Sequence, residues 1–329
     1  MLKKRNAGFT LLAGALLLSA CGSSTSGEES APETIRLDYA FYSPTSLVLK
    51  ESGKVEEHFE EQGIDVEWVL SQGSNRAIEL LNSNSVDFGS TAGAAALVAK
   101  SNHAPIETVY VASDPEWTAL LSNGDIETIE DLKGKQVAAT MGTDPHIFLL
   151  RALHEAGIDE SEITIVQLQH NDGASALATG EVDAWAGLDP HMATQEVEHD
   201  AELFYRNQDF NTYSVLNVRE DFAESHPELV EEVIELYEEA REWTIDNHEE
   251  ATAILAEQAD LSEEVAAIQM ERNDFSNPVL EEEHRDALIG AGVVLEEGHL
   301  GPAASSVEEL VYELLNPTYV ESVVGSTSD

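Results

Sequence analysis

Along most of the chain, short apolar runs rich in β-branched residues alternate with segments whose apolar positions recur at helical spacing. This alternation is typical of α/β folds, in which helices cover the faces of a largely parallel sheet. The predicted helices are 46–53, 55–62, 75–82, 94–100, 145–156, 174–179 and 191–198. The predicted strands are 34–40, 65–70, 86–89, 107–112, 136–140, 164–169, 182–187 and 213–218. About 300 residues are enough for two domains, so we expect two sheets built from parallel βα units.

The pattern changes near Pro227, where strand-like runs stop and only helical periodicity continues. We expect this helical segment to pack on one of the two domains. The last residues, 327–329, offer no apolar side chain to bury and are predicted to fray. The predicted helices of this segment are 229–247, 250–257, 262–273, 282–291 and 307–314.

The amino terminus has the pattern of an export signal. Residues 1–5 are basic, Phe9 to Ala20 form a compact apolar run, and small residues precede Cys21, the only cysteine. A run of about twelve apolar residues is shorter than the roughly 20 needed to cross a membrane. We interpret 1–20 as a lipoprotein signal peptide, Cys21 as the lipidated residue and 21–33 as a flexible Gly/Ser-rich tether. The alternative is an ordinary signal peptide followed by a buried cysteine.

The chain carries 64 acidic and 16 basic residues, a formal net charge of −48. The acidic residues are dispersed over predicted helices, which indicates solvated faces more than a dedicated partner surface. Concentrated salt shortens the Debye length to about 3 Å and screens such repulsion, so the composition fits a halophile. No basic stripe is available to neutralise phosphates, which argues against a nucleic-acid partner.

Hydroxyl and glycine residues collect where predicted strands pass into helices. In an open α/β sheet these junctions lie at the carboxyl ends of the strands, and each following helix presents free N–H groups there. The sequence therefore predicts an anion receptor made of helix N-termini and neutral hydroxyls. The alternative is that Ser74, Thr91, Asp144 and Asp189 are ordinary helix caps. The junctions are 42–46, 72–76, 90–93, 142–146 and 187–190, with a sixth at 170–173.

Several longer segments resemble the substrate-binding proteins of ABC importers for aliphatic sulfonates and taurine, with nitrate-binding relatives further away. The resemblance extends over about residues 34–300 and rests on six segments: Ser74-Asn-Arg-Ala77, Val86-Asp-Phe-Gly-Ser-Thr-Ala-Gly-Ala-Ala95, Pro115-Glu-Trp-Thr-Ala119, Gly142-Thr-Asp-Pro-His-Ile-Phe148, Leu168-Gln-His-Asn-Asp-Gly173 and Asp183-Ala-Trp-Ala-Gly-Leu-Asp-Pro190.

This resemblance implies a type II periplasmic-binding-protein fold. Two lobes of mixed, mostly parallel sheets flanked by helices would be joined by two crossovers and close on one ligand. We expect the chain to leave the first lobe near 112–117 and to return near 213–219. The corresponding domains are 34–113 and 217–316 for lobe I, 114–216 for lobe II and 317–329 for a C-terminal tail.

The resemblance and the junctions together suggest the ligand-binding residues. The hydroxyls of Ser43, Ser74 and Thr91 and the amides of Ala92 and Gly93 would donate to a sulfonate, which has acceptor oxygens only. Trp117 and Trp185 would line the alkyl part of the ligand, with core packing as the alternative. Arg76 would reach the anion or stay on the surface. The full set is Tyr42, Ser43, Ser74, Asn75, Thr91, Ala92, Gly93, Glu116, Trp117, Thr143, Asp144, His146, His170, Trp185 and Asp189.

Three acidic residues of this set are unfavourable neighbours for an anion alone. Glu116, Asp144 and Asp189 would either cap helices or bind a cation, and a carboxylate facing the ligand would favour a zwitterion such as taurine. Catalysis is not expected, because the spacing of His146, His170, His191 and His199 matches no metal or acid–base template and no nucleophile motif is present. We accordingly expect no cofactor and no metal.

The sequence thus predicts an exported, lipid-anchored and monomeric solute-binding protein. Its partners would be the permease and ATPase subunits of an importer, and its ligand taurine or an alkanesulfonate. Two alternatives remain open at this stage: binding of another small solute, such as nitrate, bicarbonate or a pyrimidine thiamine precursor, and a surface adhesin or sensor without a transport role.

Overall fold

A computed structural model describes residues 31–296, 299–301 and 306–327. The predicted signal peptide, the candidate lipidation residue Cys21 and the tether as far as Ser30 lie outside the described residues. Residues 31–329 form one unit. Within the described ranges no helix is both long enough and apolar enough to cross a membrane.

The first sheet has six strands in the order β11-β4-β10-β3-β1-β2. Strand β1 pairs in parallel with β2 and β3, as expected for βα units, whereas β10 runs antiparallel between β3 and β4. Short β11 extends the far edge of β4. The strands are β1 Thr34–Tyr39, β2 Asp65–Leu70, β3 Phe88–Ala92, β4 Ile106–Pro115, β10 Ser214–Arg219 and β11 Asn273–Asp274.

The second sheet has five strands in the order β7-β6-β8-β5-β9. Strand β6 pairs in parallel with β7 and β8, and β5 runs antiparallel between β8 and β9. The strands are β5 Thr118–Ser122, β6 Gln136–Ala139, β7 Thr164–Gln167, β8 Ala184–Leu188 and β9 Glu202–Tyr205.

Both sheets are mixed, and among the described residues more strand pairs are antiparallel than we expected. Its source is β5, β9 and β11, which the sequence analysis did not predict, together with β10. Strand β5 begins three residues after the end of β4, and the polar run Ser113-Asp-Pro-Glu116 is the local signal that separates their apolar residues. The division lies at Glu116, between the two sheets.

Fourteen helices are present in the described residues: α1 Pro44–Ser52, α2 Lys54–Glu60, α3 Ser74–Asn82, α4 Gly93–Ser101, α5 Asp144–Glu155, α6 His170–Thr179, α7 His191–His199, α8 Glu220–Ser225, α9 Pro227–Asp246, α10 His248–Ala259, α11 Glu263–Glu271, α12 Glu282–Leu295, α13 Val307–Leu314 and α14 Thr318–Thr327. Local signals explain several boundaries. Pro44, Pro145 and Pro227 stand in first turns, where a missing N–H is harmless, and Gly53 ends α1 in the left-handed conformation.

Each sheet is covered on both faces, because neighbouring residues of one strand belong to different apolar clusters. In β8, Ala184 and Ala186 pack with α5, whereas Trp185 packs with α6 and α7. In β4, Tyr110 packs with α1 and α9, and Val111 packs with α4, α12 and α13. A smaller apolar cluster joins the two sheets and consists of Ala40, Tyr42, Ala92, Ala95, Trp117 and Leu188.

Helix α14 lies in the segment that we expected to be a C-terminal tail. Val320 and Val323 of this helix are buried in the cluster formed by α1, α9 and the first sheet. Their spacing of three residues places them on one helical face. The sequence analysis emphasised the polar last three residues and overlooked this pair.

Truncation of one buried valine side chain in α14 tests this packing. Val320 is fully buried, so Val320→Ala should lower the free energy of unfolding by about 2 kcal/mol through lost apolar burial and the cavity left behind. Val293→Ala is the matched control, because Val293 is a helical valine that is 52% exposed and its truncation should change stability by less than about 0.5 kcal/mol. Denaturant unfolding in high salt measures both; equal effects would contradict the packing of α14.

Candidate functional site

A cavity of about 200 Å³ lies where the carboxyl ends of strands from both sheets meet. The first sheet contributes the segments that follow β1 and β2, and the second contributes the start of α6 and the turn from β8 into α7. The cavity is therefore formed by two sheets and four chain segments. Its lining residues are Phe41, Tyr42, Ser71, Gln72, His170, Asn171, Leu188, Asp189, Pro190 and His191.

Two helix N-termini approach each other beside this cavity. Asn75 in the first turn of α3 donates from Nδ2 to Oε1 of Gln169, the N-cap residue of α6, over 3.3 Å. Gly73 allows the approach, since a Cβ atom there would lie 3.0 Å from His170 Nε2. The first amides of an α-helix have no acceptor within the helix and carry partial positive charge. Both helix ends thus favour an anion at this place.

The floor of the cavity is a hydrogen-bonded group of neutral hydroxyls above a buried carboxyl. Ser71 Oγ donates to Asp38 Oδ2 over 2.6 Å, and the amide of Ser90 donates to Asp38 Oδ1 over 2.8 Å. Tyr42 donates from its hydroxyl to the carbonyl of Ser90 and lies 3.2 Å from Ser71 Oγ. Burial raises the pKa of Asp38 to about 7.

His170 presents an unpartnered ring nitrogen at the cavity. Thr140 Oγ1 lies 2.7 Å from the carbonyl oxygen of Leu168, to which it donates, and 3.3 Å from His170 Nδ1. The one hydroxyl proton of Thr140 is engaged by the carbonyl, so Nδ1–H of His170 is the donor to Thr140. Nε2 is then an acceptor and has no hydrogen-bond partner among the described residues. Burial lowers the pKa of His170 to about 3, which keeps the ring neutral.

The apolar contact between the two sheets is linked to a hydrogen-bonded carboxylate. Trp117 packs edge-on against Tyr42 with ring centroids 6.0 Å apart, and its indole Nε1 donates to Asp144 over 2.8 Å. Asp144 also accepts from the hydroxyl and the amide of Thr212. Trp117 and Thr212 lie on the two segments that connect the sheets, so one carboxylate at the start of α5 holds both connections.

A second carboxylate is held by an arginine from the helical segment. Arg272 contacts both oxygens of Asp189 at 3.2 Å and donates to Glu196 at 2.6 Å. Asp189 Oδ1 also accepts from the amide of Ala193 in α7. Burial raises the pKa of Asp189 to about 6, and the charge of Arg272 opposes that shift. The pair connects α11, which lies on the first sheet, to the second sheet.

The sequence profile of the NMT1/THI5-like family matches residues 53–251, more than half of the chain. The chain belongs to the NMT1/THI5-like family. Two relatives are named for the binding of aliphatic sulfonates. One, from Bacillus subtilis, is 26% identical over 279 residues, which cover 83% of this chain and 84% of the relative. The other, from Escherichia coli, is 31% identical over 245 residues, which cover 73% and 76%.

The solved structures include the alkanesulfonate-binding protein from Xanthomonas axonopodis pv. citri bound to MOPS. It has a TM-score of 0.79 and 22% identity to this chain, and the match covers 88% of this chain and 99% of that one. This likeness confirms the predicted type II periplasmic-binding-protein fold. The relatives are binding proteins, which agrees with the expectation that this NMT1/THI5-like protein binds its ligand without converting it.

Of the predicted ligand-binding residues of this NMT1/THI5-like protein, Tyr42, His170 and Asp189 line the cavity. Asn75 lines an adjoining pocket of about 300 Å³ that also includes Gln72. Trp117 stands behind Tyr42. The structure thus brings together residues from both predicted lobes around one space.

Other predicted donors are already engaged within the protein. The amide of Ala92 donates to Ser74 Oγ over 3.0 Å, and the amide of Gly93 donates to the carbonyl of Thr212 over 2.8 Å. The structure therefore contradicts the expectation that these amides face an anion, because one donates to the Ser74 side chain and the other to the backbone of Thr212. Thr91 Oγ1 accepts from Asn217.

Most of the remaining predicted residues have contacts within the protein that do not involve the cavity. Thr143 donates to the carbonyl of Thr140, whereas the buried Ser43 hydroxyl has no partner among the described residues. His146 packs against His299 with ring centroids 5.3 Å apart. Trp185 lies in the core beside α6, so core packing is its role. Arg76 pairs with Glu79 at 2.9 Å on the rim.

The acidic residues do not form the cation site that the sequence allowed. Glu116 is paired with Arg206, and Asp144 and Asp189 are held as described above. The carboxylate argument for a zwitterionic ligand therefore loses its basis. Within the described part of the chain, no group of three or more His, Cys, Asp or Glu side chains is arranged to hold a metal.

Sequence reasoning missed several residues at the site. Ser71 and Gln72 stand one and two residues beyond β2, and His191 begins α7, so their junction positions were available as signals. Asp38 also had a signal, since a carboxylate near the end of an otherwise apolar strand is rarely tolerated without a role. Arg272 had none, because it is 83 residues from Asp189 in the chain.

The buried Asp38 predicts a specific pH dependence of stability. Its pKa is about 7 in the folded state against 3.8 for an unperturbed aspartate, so the folded state holds the proton more tightly. Stability from this group is greatest below pH 3.8, declines as the pH rises towards 7, and then stays reduced by up to about 4 kcal/mol. Asp38→Asn removes the charge; its Oδ1 can accept from the amide of Ser90, and its Nδ2 can donate to Ser71 Oγ, as a protonated carboxyl would.

We expect Asp38→Asn to stabilise the protein more at pH 8 than at pH 5, by about 3 kcal/mol, in denaturant unfolding at constant ionic strength. Asp87→Asn is the matched control: Asp87 is buried just before β3, and although burial raises its pKa, the charge of its partner Arg219 opposes that shift, so the effect of this substitution should change less with pH. A pH-independent effect of Asp38→Asn would contradict the assignment.

Proposed function

We propose that this protein is the solute-binding component of an ABC importer and that it captures an aliphatic sulfonate in the cavity between its two sheets. The observation that supports this proposal most directly is the cavity at which helix N-termini from both sheets meet, beside Gly73 and His170. The relatives named for aliphatic sulfonates and the MOPS-bound relative support a sulfonate as the ligand class.

The chemistry of the lining fits the two ends of such a ligand. A sulfonate has three acceptor oxygens and no proton at neutral pH, so it needs N–H and O–H donors. The first amides of α3 and α6, together with the side chains of Gln72 and Asn171, supply donors without a formal charge. Phe41, Leu188 and Pro190 supply an apolar surface for the alkyl part.

Export and anchoring form part of the same proposal. A signal peptide over 1–20 and a lipid on Cys21 would hold the binding unit at the outer face of a membrane, next to its permease partner, with the ATPase partner on the opposite face. The negative surface of the chain, with a net charge of −48, would suit a salt-rich exterior.

Calorimetry of the purified protein with ethanesulfonate, taurine, nitrate and bicarbonate tests the function. We expect saturable one-to-one binding of at least one sulfonate and no chemical change of the ligand on prolonged incubation. A ligand present at 100 times its dissociation constant should add about 2.7 kcal/mol to stability in a parallel thermal unfolding series. Selective binding of nitrate or bicarbonate, or formation of a product, would refute the proposal.

A single methyl group at the meeting point of the helices tests the location of the site. In Gly73→Ala the new Cβ would lie 2.8 Å from Asn75 Oδ1 and 3.0 Å from His170 Nε2, so the two helix ends must separate. We expect sulfonate affinity to fall at least about tenfold, a cost of about 1.4 kcal/mol.

Gly325→Ala is the matched control, because Gly325 has open space at its Cβ position within α14 and should retain wild-type affinity. Unchanged affinity of Gly73→Ala, with both variants folded, would place the ligand elsewhere.

A further inference from the structure

Asp38 is a buried carboxyl without a cation. It is 0% exposed, and its hydrogen-bond partners are neutral: Ser71 Oγ, the amide of Ser90 and the side chain of Ser90. The buried carboxylates Asp87 and Asp189, by comparison, are paired with Arg219 and Arg272. Among the ion pairs of the residues that the structure describes, none includes Asp38. A buried carboxylate in this situation favours its neutral form.

The position of Asp38 connects its charge to the cavity. Ser71 and Tyr42 line the cavity, and Ser71 Oγ is 2.6 Å from Asp38. When Asp38 is ionised, the Ser71 hydroxyl must donate to it, while Tyr42 donates to the carbonyl of Ser90. Both hydroxyl oxygens then present only lone pairs to the cavity, and a negative charge lies directly behind them. This state opposes an anion.

We propose that Asp38 is a positioning residue through which the cavity takes up its anion together with one proton. The proposal rests on the proposed function in so far as it requires an anion in this cavity. A proton from solvent adds to the Asp38 carboxylate, and the resulting O–H donates to Ser71 Oγ. The Ser71 O–H is then released and donates into the cavity, to the anion. Protonation thus removes a repulsive charge and supplies a donor in one step.

Other titratable groups around Asp38 and the cavity stay in one state over the relevant pH range. Tyr42 and Tyr237 lie near Asp38. Burial raises the pKa of each phenol far above neutrality, so both stay neutral. His170 and His191 have lowered pKa values and remain neutral. The pKa of Asp189 is about 6, so its carboxyl group is mostly ionised in measurements made at pH 7 and above. The pKa of Asp38, about 7, suits proton uptake above that pH.

Calorimetric titration with ethanesulfonate and with taurine, in buffers of different ionisation enthalpy, counts the protons bound with the ligand. At pH 8 we expect the wild-type protein to take up close to one proton. Its affinity should fall about tenfold per pH unit above pH 7, as one linked proton requires. Asp38→Asn, which imitates the protonated carboxyl, should bind about tenfold more tightly than wild type at pH 8, without proton uptake.

Asp87→Asn is the control for removal of a buried carboxyl in the same sheet, away from the cavity, and should retain the wild-type proton uptake and pH slope. Ser71→Ala provides a second test that does not depend on the stability of Asp38→Asn. It removes the hydroxyl that would donate to the anion but leaves the Asp38 charge, so sulfonate affinity should fall about tenfold at pH 7 while proton uptake continues.

The outcomes separate this inference from the proposed function. Sulfonate binding by the wild type without proton uptake, full proton uptake retained in Asp38→Asn, or unchanged affinity of Ser71→Ala would overturn the role of Asp38 and leave the sulfonate receptor intact. Failure of the wild type to bind either sulfonate would overturn the proposed function itself.

Discussion

Scarcity of positive charge is the constraint on which the rest of this structure depends. With 64 acidic residues against 16 basic ones, few cations are available to pair with a buried carboxylate. Arg219, Arg241 and Arg272 each neutralise a carboxylate in the interior. Other buried carboxyls depend on neutral donors, as Asp144 depends on Trp117 and Thr212. An anionic ligand meets the same constraint, so oriented backbone amides and hydroxyls must do what arginine does in a less acidic protein.

Most regular elements were predictable because their signals are local. Alternating burial, first-turn prolines and glycines after helices place the βα units of both sheets to within a few residues. The failures have a common cause, since β5, β9 and α14 depend on partners distant in sequence. Strand β5 is a short apolar run soon after β4, and only its pairing with β8 shows that it belongs to the other sheet. Likewise, the burial of Val320 and Val323 depends on α9 and the first sheet, which lie far away in the sequence.

The predicted site was correct in region and less so in detail. Junction residues such as Tyr42 and His170 line the cavity, because the carboxyl ends of parallel strands share one edge whatever the rest of the topology is. Asp144 and the amide of Gly93 belong to the same junctions yet hold the connections between the sheets. Sequence position alone does not separate a group that faces the ligand from one that faces Thr212, because both functions require a polar group at the same edge.

The partners of the acidic residues also change the argument about ligand type. Glu116, Asp144 and Asp189 are occupied, so none is left to bind an ammonium group. Beside the cavity, the unpartnered acceptors among the described residues include two neutral ones, His170 Nε2 and Asn75 Oδ1, both within about 3 Å of one point beside Gly73. Each would accept from a hydroxyl, an amine or a bound water. An ammonium gains less here than beside a carboxylate, because the N-termini of α3 and α6 oppose a positive charge. These contacts support the proposal that the cavity recognises an anionic group with a neutral donor beside it.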